Sequence, residues 1–303
     1  MKNINFNSEL DTFKAGLYGQ ILTWVLEILP YLDENNILPD WDLKCSNYGE
    51  APDHKIFGKH MLLNYTPNNL NDEYVNFFDF KTRPETSSLF HNYAYDFQKA
   101  HDMFFKYFSI SDEINNEVES FFSNRKGKRN LGIHYRGTDK INSSESGYMD
   151  EKIFVTIVDD YLASNNDIDT IFVISDEKEK IIFISEYYKN KGYNVHYPDD
   201  SVNLPVSNLL FSNYGNSGFD TSILHKKSIV DPLILSKCDV LFKSQSALSC
   251  WAKIFNPNIE AYRITSFKYN WFPDGYIERY TSKDHNIQHL LNKIYSEENC
   301  WHK

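Results

Sequence analysis

Leu131-Gly132-Ile133-His134-Tyr135-Arg136-Gly137-Thr138-Asp139-Lys140 is the stretch that decides the fold. Its first five residues form a short, mostly apolar run that stops at a glycine and a cluster of polar groups. A run this short, bounded this way, is the pattern of a strand buried on both faces. Further runs of the same kind follow at 170–174, 193–197, 240–242 and 259–264. Between them, 150–163, 178–190, 222–236 and 246–255 carry apolar residues at helical spacing. Ile153, Phe154, Ile157, Val158 and Tyr161 mark the buried stripe of the first helix. Strands alternating with helices predict an α/β domain built on a parallel sheet. A last amphipathic segment, 283–297, with Ile287, Leu290, Leu291 and Ile294 on one face, predicts a terminal helix packing back on the body.

Upstream the pattern is weaker. After Lys14-Ala15-Gly16-Leu17-Tyr18-Gly19, apolar residues at Leu17, Ile21, Leu22, Val25, Leu26, Ile28 and Leu29 predict a glycine-containing loop that opens a buried helix ending at Pro30. Residues 30–92 are rich in Asn, Asp, Pro and aromatics and lack periodicity, so loops, short strands and short helices are expected there. Residues 92–122 predict two helices. The basic stretch 124–130 is then the natural place for a domain boundary. With 303 residues, two domains are expected: 1–125 and 126–282, with 283–303 as the closing helix.

Composition excludes several classes. The formal net charge is −11, with no isolated basic run, which argues against a nucleic-acid partner. The four cysteines, Cys45, Cys238, Cys250 and Cys300, show neither zinc-ligand spacing nor a disulfide framework. The opening MKNINFNSELDTFK has no apolar leader core, and no apolar run reaches membrane-spanning length. A cytoplasmic location is expected, without a membrane span and compatible with peripheral membrane contact. Aromatics at 16% and hydrophobic residues at 41% are ample for two cores.

In open α/β sheets ligands sit outside the carboxyl ends of the strands. The residues there are Arg136, Gly137, Thr138, Asp139 and Lys140 after the first strand, Ser175, Asp176 and Glu177 after the second, and Lys243, Ser244, Gln245 and Ser246 after the fourth. An arginine at a strand end presents a fixed fork of donors to a diphosphate, and serines opening a helix add hydroxyls and N–H groups aimed at an anion. The alternatives are structural. Arg136 pairs with Asp139 or Asp176, Ser244 and Ser246 are plain N-caps, and His134 is a core histidine. Asp231 lies on an apolar helical pattern where an unpaired carboxylate is costly. Otherwise it caps a helix that starts at Pro232.

At these residues the chain resembles the superfamily of α-1,2-, α-1,6- and protein O-fucosyltransferases, nearest to the α-1,6 branch. The segment from Gly132 to Lys140 resembles the family's first motif, Val173 to Glu177 the second, and Ser228 to Ala252 the third, in which an Asp-bearing helix leads to a strand and a Ser-rich loop. Lys14 to Gln20 is similar to the family's N-terminal glycine-rich loop. Order and spacing hold across all four segments.

The resemblance implies a GT-B-like fold, two Rossmann-like domains facing across a cleft, with 1–125 as the acceptor-side domain and 126–282 as the nucleotide-sugar-binding, Rossmann-like domain. It also implies a GDP-sugar donor, GDP-fucose in the family, and an inverting transfer to a glycan or glycoconjugate without metal or other cofactor. Donor contacts are then expected at Lys14, Gly16, Tyr18, Gly19, His134, Arg136, Asp176, Asp231, Ser244 and Ser246. Catalysis is assigned to Arg136, stabilising the departing diphosphate, and to Glu145 as base, close to where the α-1,6 branch carries a glutamate. The second arginine of that branch is Gly137 here, with Lys140 or Lys243 as replacements. Rival expectations are the same fold transferring xylose, rhamnose or a heptose, and a catalytically silent carbohydrate-binding protein.

Overall fold

A computed structural model describes residues 4–7, 17–45, 48, 53–67, 74–83, 96–137, 149–198, 221–265 and 272–296. The chain forms two compact units, one from Met1–Val118 with Phe211–Val230, the other from Glu119–Leu210 with Asp231–Lys303.

The first unit holds β1 (Asn5–Asn7), β2 (Asp40–Asp42), β3 (Met61–Leu63), β4 (Tyr74–Asn76) and β5 (Phe108–Ile110). Strands β2, β1 and β4 form a parallel sheet with β1 central, and β3 pairs with β5 antiparallel. Each described strand here has three residues, so the core is made by aromatic contacts rather than by long apolar runs. Phe6 meets Trp41 and Phe80 at 5.0 and 4.9 Å between ring centroids, and Phe57 stacks on Phe108 at 4.7 Å. Strands this short leave too few residues to show a period of two.

Two expectations for this unit change. Leu17–Leu22, expected to begin in a loop, forms a π-helical turn that runs directly into the helix Thr23–Glu34. That helix also continues past Pro30. A proline inside a helix removes one backbone bond and costs about 3 kcal/mol. Leu29 and Leu32, both wholly buried, offset it, while Asp33 is held by Lys106 and Tyr107 of the helix Phe97–Tyr107.

The second unit carries β6 (Asn130–Tyr135), β7 (Thr170–Ser175), β8 (Asn194–His196), β9 (Val240–Lys243), β10 (Glu260–Arg263) and β11 (Glu278–Arg279). All pairs are parallel, in the order β11-β10-β9-β6-β7-β8. Counted within the unit, this is the doubly wound order 3-2-1-4-5-6. Every residue of β6, β7 and β9 is buried, which explains why these strands read as apolar runs without alternation. On one face Leu131, Ile133, Val173, Val240 and Phe242 pack with the helices Glu151–Ser164 and Lys178–Lys189 and with Leu291 of the helix His285–Ser296. On the other, Phe172 stacks on Phe122 at 4.6 Å, and Gly132 lies beneath Leu235 and Cys238 at the end of the helix Thr221–Ser236. Among the described residues no helix is long and apolar enough to cross a membrane, and Cys45, Cys238 and Cys250 are buried thiols.

Gly132 sits at a close approach between strand and helix end. A Cβ there would stand 3.1 Å from Leu235 Cδ2 and 3.2 Å from Cys238 Sγ. Gly132→Val should therefore destabilise the protein by about 1–3 kcal/mol through overpacking. The measurement is the urea midpoint at unchanged m-value, and wild-type stability would show that the helix end yields freely.

Candidate functional site

The winding of the second unit fixes where its loops part. The chain moves outward from β6 to β7 and β8, then returns to lay β9 on the other side of β6. Loops leaving β6 and β9 therefore diverge at the carboxyl end of the sheet, the crevice in which doubly wound folds hold their ligands. Arg136 follows β6 there and Ser244 follows β9, while Asp176 and Glu177 follow β7 beside them.

Hydrogen bonds lock these three ends together. The Arg136 N–H donates to Ser244 Oγ at 2.7 Å, and Ser244 N–H donates to the His134 carbonyl at 3.0 Å. Asp176 takes Arg136 Nε on Oδ2 and the Gly137 N–H on Oδ1, each at 3.0 Å. Both side chains are mostly buried, so the pair is shielded from the screening that makes surface pairs weak. Arg136 is thereby fixed before any ligand arrives. The structural alternative of an Arg136–Asp176 pair is realised, and it orients the guanidinium at the strand end. Ser244 accepts from Arg136 and still has its own hydroxyl hydrogen to donate. Ser246 opens the helix Ala247–Phe255 in extended backbone without a side-chain capping bond. That helix turns its positive end toward the loop after β9, an arrangement suited to an anion.

The other expected residues fall as follows. His134 is buried one residue before the end of β6, on the face shared with Gly132. Asp231 is buried within the helix Thr221–Ser236, which runs unbroken through Pro232. The capping alternative therefore does not hold, because the helix starts at Thr221. Tyr18 and Gly19 belong to the first unit, in the π-helical turn, with the Tyr18 carbonyl accepting from Thr23 Oγ1 at 2.6 Å. Lys14, Gly16, Lys140 and Glu145 lie outside the described residues.

Lys243 does not stand in for a second phosphate-binding arginine by contact. Its side chain is wholly buried, and Nζ binds Asp274 Oδ1 at 2.6 Å. Arg263, the last residue of β10 and the lateral neighbour of Lys243, reaches Asp274 Oδ2 at 3.3 Å. The Cys250 thiol donates to Asp274 Oδ1 at 2.8 Å. Burial works against the Asp274 charge, yet Lys243 and Arg263 hold its carboxyl below the ordinary range. Burial pushes the Cys250 thiol up, and the Asp274 charge adds to that. This cluster was invisible in the sequence. Its carboxylate sits in a short turn far along the chain from Lys243, and only the β9–β10 register brings the two cations side by side.

Gly137 has a physical reason. A Cβ there would overlap the carboxylate of Glu177, itself buried. The volume a longer residue would need is already taken by an acid. Among the described residues no three His, Cys, Asp or Glu side chains gather as a metal site. A hollow of about 520 Å³ lined by Lys126, Asn130, Lys237 and Asn256 lies at the amino-terminal edge of this sheet, away from all these groups.

No family model and no curated protein matches the sequence. Solved structures do match. Fucosyltransferase NodZ from Bradyrhizobium superimposes with a TM-score of 0.50 at 13% identity, over 84% of this chain and 93% of NodZ. The chain shares the fold of this fucosyltransferase. Two others are also similar. FUT1 of Arabidopsis thaliana in complex with GDP gives a TM-score of 0.48 at 12% identity, over 93% of this chain and 75% of that one. POFUT1 without ligand gives 0.46 at 12%, over 86% and 97%. The fold shared with NodZ is the α/β class expected from the sequence.

Asp176 should matter for the fold of the site independently of any ligand. Asp176→Asn keeps the volume and one acceptor but removes the charge that pairs Arg136. A loss of about 1.5–3 kcal/mol in chemical denaturation is expected. A change within experimental error would mean that Arg136 is held by other groups.

Proposed function

We propose that the chain is a glycosyltransferase that binds a GDP-sugar, most specifically GDP-fucose, at the switch point between β6 and β9 and transfers the sugar with inversion to a glycan or glycoconjugate hydroxyl. The observation that carries this is Arg136, held at the one place where a doubly wound sheet opens, by Ser244 on its backbone and Asp176 on its guanidinium. NodZ, whose fold the chain shares, is a fucosyltransferase, which supports the same class of reaction.

The chemistry asks for a stabilised leaving group and a base. The acceptor oxygen bonds to the anomeric carbon as the bond from that carbon to the diphosphate oxygen breaks. The negative charge that develops on the diphosphate is met by Arg136, in the role a metal ion takes elsewhere. The serine hydroxyls and the amino end of the helix Ala247–Phe255 add donors. The acceptor's proton goes to Glu145, which is kept as the proposed base. Asp231 is assigned to guanine, whose N1–H and 2-amino group form a pair of donors that a single carboxylate accepts, while uracil offers one. Burial of Asp231 at 5% exposure supports a role beyond surface solvation. Lys14, Gly16, Tyr18, Gly19 and His134 are proposed as further donor contacts on the family resemblance.

Arg136→Ala should abolish transfer and weaken GDP binding by roughly 10- to 100-fold, the worth of a charge-assisted contact. Titration calorimetry and turnover assays, both run in EDTA, measure it. Near-normal turnover in a folded variant would remove Arg136 from the reaction.

Asp231→Ala should erode the preference for GDP over UDP while the protein stays folded. Comparing the two dissociation constants in wild type and variant tests the base assignment. Equal weakening for both nucleotides would return Asp231 to a structural role.

A further inference from the structure

The carboxyl edge of the second sheet holds more charge than the donor reading uses. After β6 stands Arg136, already paired with Asp176 after β7. Beside them, at the ends of β9 and β10, Lys243 and Arg263 share the carboxylate of Asp274. The formal sum of these last three groups is +1. The side chain of Lys243 is 0% exposed and that of Arg263 5%, and Arg263 Nε has no hydrogen-bond partner among the described residues. A buried cation without full compensation costs stability, and replacing such groups with apolar ones of similar size is often neutral or stabilising. Packing alone gives no reason to keep two.

Position supplies one. Lys243 is joined directly to Ser244, whose hydroxyl holds the Arg136 backbone, and Lys243 is paired across the sheet with His134. The surplus charge thus lies one residue behind the strand ends that meet at the switch point, in surroundings of low dielectric where its field is weakly screened.

We infer that Lys243 and Arg263, bridged by Asp274, are electrostatic positioning residues for an anionic diphosphate, adding net positive charge behind Arg136 and Ser244 without touching the ligand. This rests on the donor reading above and extends it to the charge balance of the same site. Neither residue transfers a proton or contacts a reacting atom. Each contributes the same unit of charge.

Calorimetry with inorganic pyrophosphate, GDP and guanosine tests it on four full-length proteins: wild type, Lys243→Met, Arg263→Met and the charge-conserving Lys243→Arg. Each methionine variant leaves one cation paired with Asp274. Affinity for pyrophosphate and GDP should fall roughly tenfold in both, guanosine affinity should not move, and melting temperature should hold or rise. Lys243→Arg should bind like wild type. Methionine variants that bind GDP as tightly as wild type would overturn the inference and leave the donor reading standing. Equal weakening for GDP and guanosine, or loss of the fold in both methionine variants, would make the cluster structural and overturn it as well. If wild type bound neither pyrophosphate nor any nucleoside diphosphate, the donor reading would fall and the inference with it.

Discussion

The adjacency of β6 and β9 is the constraint on which the second unit depends. Both strands are buried on both faces and each is paired along its length, so neither can shift register without exposing its apolar set. Their carboxyl ends are therefore fixed relative to each other to within the tolerance of a sheet. The bond from Arg136 N–H to Ser244 Oγ is a consequence of that register, and the Asp176 bridge follows from the pairing of β7 with β6. Sites held by strand ends in this way are more exact than sites built from loops alone. Packing around them serves the same end: Gly132 lets Leu235 and Cys238, at the end of the helix Thr221–Ser236, settle close to β6.

Sequence and structure agree most where burial leaves a simple imprint. The strands after residue 130 are legible because a central parallel strand must be apolar on both faces, and the helices between them because each has one buried stripe. The observed bounds, such as Asn130–Tyr135 and Thr170–Ser175, lie within a residue or two of those read from the sequence. The first unit was legible only in outline. Its strands are too short for alternation to register, and its core is assembled from aromatics distant in sequence, such as Phe6, Trp41 and Phe80. Pro30 and Pro232 both suggested boundaries and both lie inside helices, where tertiary burial outweighs the local penalty.

Within the site, the anchoring of Arg136 was legible and the setting of Lys243 was not. An arginine after a buried strand has few places to go, and Asp176 was among the partners expected for it. Lys243 looks in the sequence like one more polar residue after a strand, although its side chain turns back into the protein. The β9–β10 register and a turn 31 residues downstream decide that, through Asp274. Glu177 shows the same limit. Its effect on Gly137 follows from the spacing of β6 and β7 in space, which no local pattern records.

A fold shared at 13% identity carries little about chemistry on its own, because folds host many functions. The site must bear that weight, and its charge balance poses a sharper question than its residue list. Asp176 orients Arg136 but also neutralises it. The pair offers a phosphate directed donors and no net charge. The buried pair of cations around Asp274 supplies that charge without occupying space at the switch point, since a field acts through the sheet where a side chain would need room. On this view the oriented arginine and the surplus cation behind Ser244 are one arrangement. Asp176 aims the guanidinium, and the charge it cancels is restored from inside the protein, where it orders no exposed side chain on binding.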